Sequence, residues 1–270
     1  MTTIVDLSLD SSEKETPSPS LLPPVLPELL SKGVKLQRLA VAPPERHTET
    51  FHQAFQGSNV ILPTVKTLIL GPHMEWMVGV CPNVTTVSTR DYRWLHSNVD
   101  GDRKRRHTYE LIAAAGRASN LQHFEMMEWW KVEYLEAVLA SIPFISSLAM
   151  TGGNYHDGLE KFIPTLSKFT NLKTLTLAGA HNLKVGFSPP GCGNAYMGKG
   201  GAEMRRRVGK QRQKANESVT RIMFSACCQL ETLWIGDRTK ATVSRRGDGS
   251  VADIAVCEGQ RDCPTDWPNS

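Results

Sequence analysis

The chain has 270 residues, 40% of them hydrophobic, with 31 basic against 27 acidic side chains and a formal net charge of +4. That is enough apolar material for an ordinary core, and no stretch approaches the ~18 consecutive apolar residues of a membrane span. Met1 to Asp10 has neither a basic n-region nor an apolar h-region, so no secretory signal is read, and a cytoplasmic or nuclear protein away from membranes is expected.

Residues 1–20 are rich in Ser, Thr, Pro and acidic groups with little to bury, which predicts a disordered leader. Structure is expected to begin in the apolar, proline-containing stretch Leu21 to Leu30, with a short helix opening at Pro27. A strand pattern, apolar at positions one, four and six, then recurs: Leu36-x-x-Leu39-x-Val41, Val65-x-x-Leu68-x-Leu70, Val84-x-x-Val87-x-Thr89 and Leu121-x-x-Phe124-x-Met126. It continues with Ile145-x-x-Leu148-x-Met150, Leu172-x-x-Leu175-x-Leu177 and Leu230-x-x-Leu233-x-Ile235. The intervals are mostly within or near the roughly 20 to 29 residues of leucine-rich repeats, and the last is about two repeats long.

Helical stripes at i, i+3, i+4 spacing precede most of these strands. They are Phe51/Ala54/Phe55, Met74/Met77/Val78/Cys81, Leu135/Val138/Leu139/Ile142, Leu159/Phe162/Ile163/Leu166 and Val219/Ile222/Met223/Ala226. Pro164 is expected to kink or split the fourth. Tyr109 to Ala118 is Ala-rich and helical by propensity. Strand entries are alike: Leu62-Pro63-Thr64, Cys81-Pro82-Asn83, Ala118-Ser119-Asn120, Ile142-Pro143-Phe144 and Phe169-Thr170-Asn171. Polar insertions are read at about 90–108 and 181–214, and from residue 237 the periodicity stops. Residues 237–270 are therefore expected to be a disordered or non-native tail, leaving no legible capping unit after the last strand.

On the stretches Leu62 to Gly71, Asn120 to Met126 and Thr170 to Ala178, the chain resembles the divergent leucine-rich-repeat proteins of fungi, F-box-like proteins among them. The resemblance covers about residues 34–236. It implies an α/β fold, an irregular leucine-rich-repeat solenoid with parallel strands on a concave face, helices on a convex face and disordered termini. It also implies substrate recognition for a cullin-based ubiquitin ligase. Two departures stand out. The Asn or Cys expected three places after position six is replaced by Pro44, His73, Tyr92, Trp129, Gly153, Ala180 and Arg238. Of the helical segment an F-box would need ahead of the repeats, only Leu22 through Leu30 is a candidate, so the adaptor-binding part is not seen.

No catalytic constellation emerges. Gly193 to Lys199 matches the glycine and lysine spacing of a phosphate-binding loop, the basis of an alternative reading as a nucleotide-binding enzyme. The next residue, however, is Gly200 instead of the Ser or Thr that holds magnesium, and Ser188-Pro189-Pro190 precedes it in place of a strand. The eight histidines lack metal-helix spacing. The six cysteines, Cys81, Cys192, Cys227, Cys228, Cys257 and Cys263, lack zinc-site spacing and are expected to be reduced thiols. No cofactor and no metal are expected. The basic runs Arg103 to Arg106 and Lys199 to Lys214 read as solvated loop or helix, so nucleic acid is not the expected partner. Asn83-Val-Thr and Asn216-Glu-Ser fit the glycosylation pattern and are expected to stay unmodified.

The functional expectation comes from strand geometry. With positions one, four and six in the core, positions three and five face the other way. A partner-binding face is predicted from Thr67, Thr86, Ser88, His123, Glu125, Thr174, Thr176 and Trp234, with an aromatic rim of Trp94, Trp129, Trp130 and Tyr155. The expectation is a non-enzymatic module binding a protein or peptide, either as a ligase receptor or as a free-standing scaffold.

Overall fold

In a computed structural model the described residues are 6–10, 27–28, 30, 35–43, 45–89, 101–153, 155–191, 193–198, 200–236 and 238–258. The protein is α/β, with mostly parallel strands. The described residues fall into two compact units, one up to Met127 together with Ala140–Ile145, the other Glu128–Leu139 together with the residues from Ser146 on.

In the first unit β1 (Asp6–Asp10), β2 (Arg38–Ala42), β3 (Thr67–Leu70), β4 (Thr86–Ser88) and β5 (His123–Met127) lie side by side in chain order, all parallel. Between them run α1 (Glu45–Ser58), α2 (Met77–Val80) and α3 (Gly101–Gly116). Apolar residues at positions one and four of the strands are buried, as are the helical stripes built on Phe51, Met74 and Leu111. In the second unit β6 (Ser147–Thr151), β7 (Thr174–Leu177) and β8 (Thr232–Ile235) are parallel in chain order. β9 (Thr239–Arg245) then turns back antiparallel on β8, and β10 (Val251–Glu258) antiparallel on β9. Here the helices are α5 (Leu159–Leu166) and α6 (Gly201–Ala226), while α4 (Val132–Ser141) is divided between the two units.

One backbone contact recurs with the leucine pattern. The carbonyl at position two of one repeat accepts the amides of positions two and three of the next. Gln37 takes Lys66 and Thr67, Lys66 takes Thr85 and Thr86, and Thr85 takes Gln122 and His123. In the second unit Ser146 takes Lys173 and Thr174, and Lys173 takes Glu231 and Thr232. Strand entries are equally regular. The amides of Val65, Val84, Leu121, Ile145 and Leu230 donate to the carbonyls of Leu62, Cys81, Ala118, Ile142 and Cys227, three residues back. Pro63, Pro82 and Pro143 occupy the turn position where a fixed φ is favoured, which explains why the entry tripeptides look alike.

Several boundaries differ from expectation. The predicted leader contributes β1, and the rest of residues 1–20 lies outside the described residues. Residues 101–108 of the predicted insertion are the first turns of α3, which brings Arg103 to Arg106 onto a helix; residues 90–100 are outside the description. Most of the second insertion's basic run is likewise helical, the first half of the 26-residue α6. Helix α5 runs through Pro164 unbroken. The proline is the sixth of the helix's eight residues, and its missing N–H strands only the carbonyl of Glu160, itself an exposed residue.

The largest correction concerns residues 237–270. From Thr239 to Glu258 they form the β9–β10 hairpin; residues 259–270 lie outside the description. Arg245 Nη2 donates to the carbonyls of Phe224, Cys227 and Leu230, at 3.0, 3.0 and 3.2 Å, capping the end of α6 and the entry to β8. Asn216 Nδ2 of α6 donates to Thr239 Oγ1 at 3.0 Å in a buried contact. The leucine pattern stops there because an antiparallel hairpin needs no helix stripe and no position-one residue.

Candidate functional site

The strand ladder sorts the predicted face into two rows. Position three aligns Arg38, Thr67, Thr86 and His123 in the first unit, and Ser147, Thr174 and Thr232 in the second. These residues are half-buried except Thr86, which is buried. Position five aligns Ala40, Ile69, Ser88 and Glu125, then Ala149, Thr176 and Trp234. In this row Ser88 is 0% exposed, Thr176 2% and Glu125 5%. Ser88, Glu125, Thr176 and Thr86 are thus interior residues, contrary to the partner-facing expectation. Ser88 Oγ donates to Glu125 Oε2 at 3.0 Å, meeting part of the acceptor demand of a buried carboxylate. His123 is pushed below the usual imidazole range by burial, so it is neutral at pH 7.

The aromatic rim also divides. Trp130 is fully buried, its Nε1 donating to the Thr151 carbonyl at 3.2 Å at the end of β6. Tyr155 is fully buried as well, its hydroxyl donating to the Met150 carbonyl at 2.9 Å and its ring edge-on to Phe162. Burial raises its phenol far above the ordinary value. Both serve the core of the second unit, because each indole or phenol finds a backbone carbonyl at a strand end. Trp94 lies outside the described residues. Trp234 is half-buried and has Lys240 of β9, its ladder partner, 5.6 Å from its ring centroid.

Trp129 alone among the described rim residues is exposed, at 57%. Its placement is held from two sides. Its amide donates to Glu128 Oε1 at 2.7 Å. Its indole lies against Gly153, where an added Cβ would come within 2.0 Å of Nε1. Gly152, with φ 108, passes so close to Glu128 that a Cβ would sit 2.7 Å from its backbone. The Gly152-Gly153 turn therefore exists to admit Glu128 and Trp129.

The phosphate-loop match does not form a strand–loop–helix unit. Residues 183–191 carry no strand, Gly193–Tyr196 is a 3₁₀ turn, and Gly201 at the start of α6 abuts the Tyr196 carbonyl, which accepts a hydrogen bond from Arg205. Lys199 lies outside the described residues. Cys81, Cys227, Cys228 and Cys257 are free thiols; burial lifts Cys81 to about 12 and Cys227 to about 11, which makes both poor nucleophiles. Asn216 of the second glycosylation pattern is buried against β9.

One cluster has no counterpart in the sequence reading. Glu75, in the turn before α2, lies with His107 and Glu110 of α3 so that one donor atom of each falls within 4.8 Å of the others. His107 Nδ1 is 3.0 Å from Glu110 Oε2, and the His73 ring stands edge-on to His107 with centroids 3.5 Å apart. Burial, reinforced by Glu110, raises the Glu75 carboxyl, opposed by Arg117. The only sequence signal was the His107-x-x-Glu110 spacing, which is common on helices; Glu75 is joined to it by tertiary folding alone.

No family model and no curated protein sequence matches the chain. None of the described helices is long and apolar enough to cross a membrane.

Proposed function

We propose that the chain is a non-enzymatic leucine-rich-repeat-type solenoid that binds a protein or peptide partner. The observation that carries this reading is Trp129, a large indole left open to water yet fixed by Glu128 and Gly153. An exposed tryptophan held in one position loses little conformational entropy on binding and can supply a large share of an interface's energy. The half-open position-three residue Thr174, in the same unit as Trp129, adds a small polar contact. The recurring carbonyl-to-two-amide contact and the shared entry turn support the solenoid, since both repeat with the leucine pattern. Substrate recognition for a cullin-based ubiquitin ligase is the narrower form of the proposal, supported by the resemblance to fungal F-box-like repeat proteins.

A photo-crosslinking side chain placed at position 129, with a control at exposed Glu217 on α6, tests the surface in cells. A partner captured from position 129 and not from 217 should then bind the purified Trp129→Ala protein roughly tenfold or more weakly. Unchanged affinity in a Trp129→Ala protein with an intact circular dichroism spectrum would remove the proposal.

A further inference from the structure

We propose that Glu75, His107 and Glu110 form a binding site for a divalent transition-metal ion of the zinc class, clipping α3 to the turn ahead of α2. The donors converge from two elements. His107 and Glu110 are one helical turn apart and share a face of α3. Glu75 sits between Met74, which is fully buried, and Trp76, whose ring stacks on His52 at 4.8 Å and tilts against Phe55 at 5.4 Å, both on α1. The turn carrying Glu75 is therefore anchored on each side of the carboxylate.

The dimensions suit one ion. Ligands each roughly 2.1 Å from a tetrahedral zinc stand about 3.4 Å apart. His107 Nδ1 and Glu110 Oε2, 3.0 Å apart, are already that close, and the full donor set, within 4.8 Å, would have to draw inward to reach it. The donor set of one imidazole and two carboxylates favours zinc and its first-row neighbours over calcium or magnesium, which take oxygen ligands alone. Glu75 and Glu110 oppose each other electrostatically, and a cation between them reverses that repulsion.

The surrounding charges limit the affinity. Arg103 and Arg106 bear on His107, Arg117 bears on Glu75, and Arg103 Nη2 lies 3.4 Å from His73 Nε2. His73 holds a left-handed backbone at φ 59 while presenting its ring edge to His107.

The full chain, stripped with a chelator, is titrated with Zn2+ by calorimetry and with Co2+ by absorption. One equivalent should bind, raise the melting temperature and give a cobalt spectrum without thiolate charge transfer, and binding should weaken as pH falls and protons compete for the ligands. Glu110→Gln, at an exposed position, should fold normally and lose roughly tenfold or more in zinc affinity. Glu75→Gln should abolish the zinc-induced rise in melting temperature, and Cys228→Ser/Cys257→Ser should keep it. The proposal is overturned by the absence of saturable zinc binding, by a thiolate–cobalt band, or by zinc affinity unchanged in Glu110→Gln and Glu75→Gln.

Discussion

The parallel strands and the terminal hairpin are both paired through the backbone and differ in what side chains add to that pairing. Between parallel repeats the contacts are backbone to backbone: a position-two carbonyl takes two amides, and an entry turn closes three residues back. Side-chain identity then matters mainly at the buried positions, and the rest of each repeat is free to drift. The hairpin has its own antiparallel backbone ladder and adds particular polar side chains to it, with Arg245 across three carbonyls, Asn216 on Thr239 and Lys240 near Trp234. A run of parallel strands can thus end on a segment with no trace of the leucine pattern, provided a few donors reach the groups the last strand leaves open.

The sharpest way to break this contrast is in the repeats. Leu175→Ala, at a fully buried position flanked by Leu148 and Leu233 in the ladder, should cost about 2–5 kcal/mol in urea unfolding. A cost near zero would mean that the position-four leucines do not form the core. Next in size, Arg245→Ala should cost roughly 1–3 kcal/mol, because three carbonyls lose a charged donor. Its signature is faster amide exchange across β9 and β10 while β6 and β7 keep their protection. Equal loosening of all four strands would show that the hairpin is not separately held.

Within the repeats, Ser88→Ala should cost about 1 kcal/mol by withdrawing a hydrogen bond from buried Glu125, whereas Thr67→Ala, half-open in the neighbouring row, should cost less. Equal costs would erase the distinction between rows. Smallest in stability is the pH effect of His123. Its folded pKa lies below the ordinary 6.5, so as pH falls below that value the unfolded state takes the proton first and stability declines. His123→Gln should flatten this decline in a pH series of melting temperatures.

Burial in the two rows also shows where sequence reasoning stops. The alternation that sends positions three and five away from the leucines is local backbone geometry and was legible. Whether a side chain on that face meets water depends on what else lies over it, which strand periodicity does not encode. Ser88 and Thr176 read as surface residues for that reason, and Trp130 and Tyr155 read as rim because the carbonyls of Thr151 and Met150 that receive them are invisible in sequence. Trp129 was named among equals. Only its fit against Gly153 separates it from Trp130, one residue away.

By itself the sequence determined the strands β2 to β8 and their order, because an apolar residue at positions one and four must find apolar neighbours, and a proline-favoured entry turn must recur to bring the chain back in register. Tertiary structure decided the rest. It turned a polar tail into a hairpin through Arg245, and it separated open from closed positions on one face. It also brought Glu75 to His107 and Glu110 across more than thirty residues of chain, since long-range proximity depends on how elements pack and leaves no periodic trace in the residues themselves.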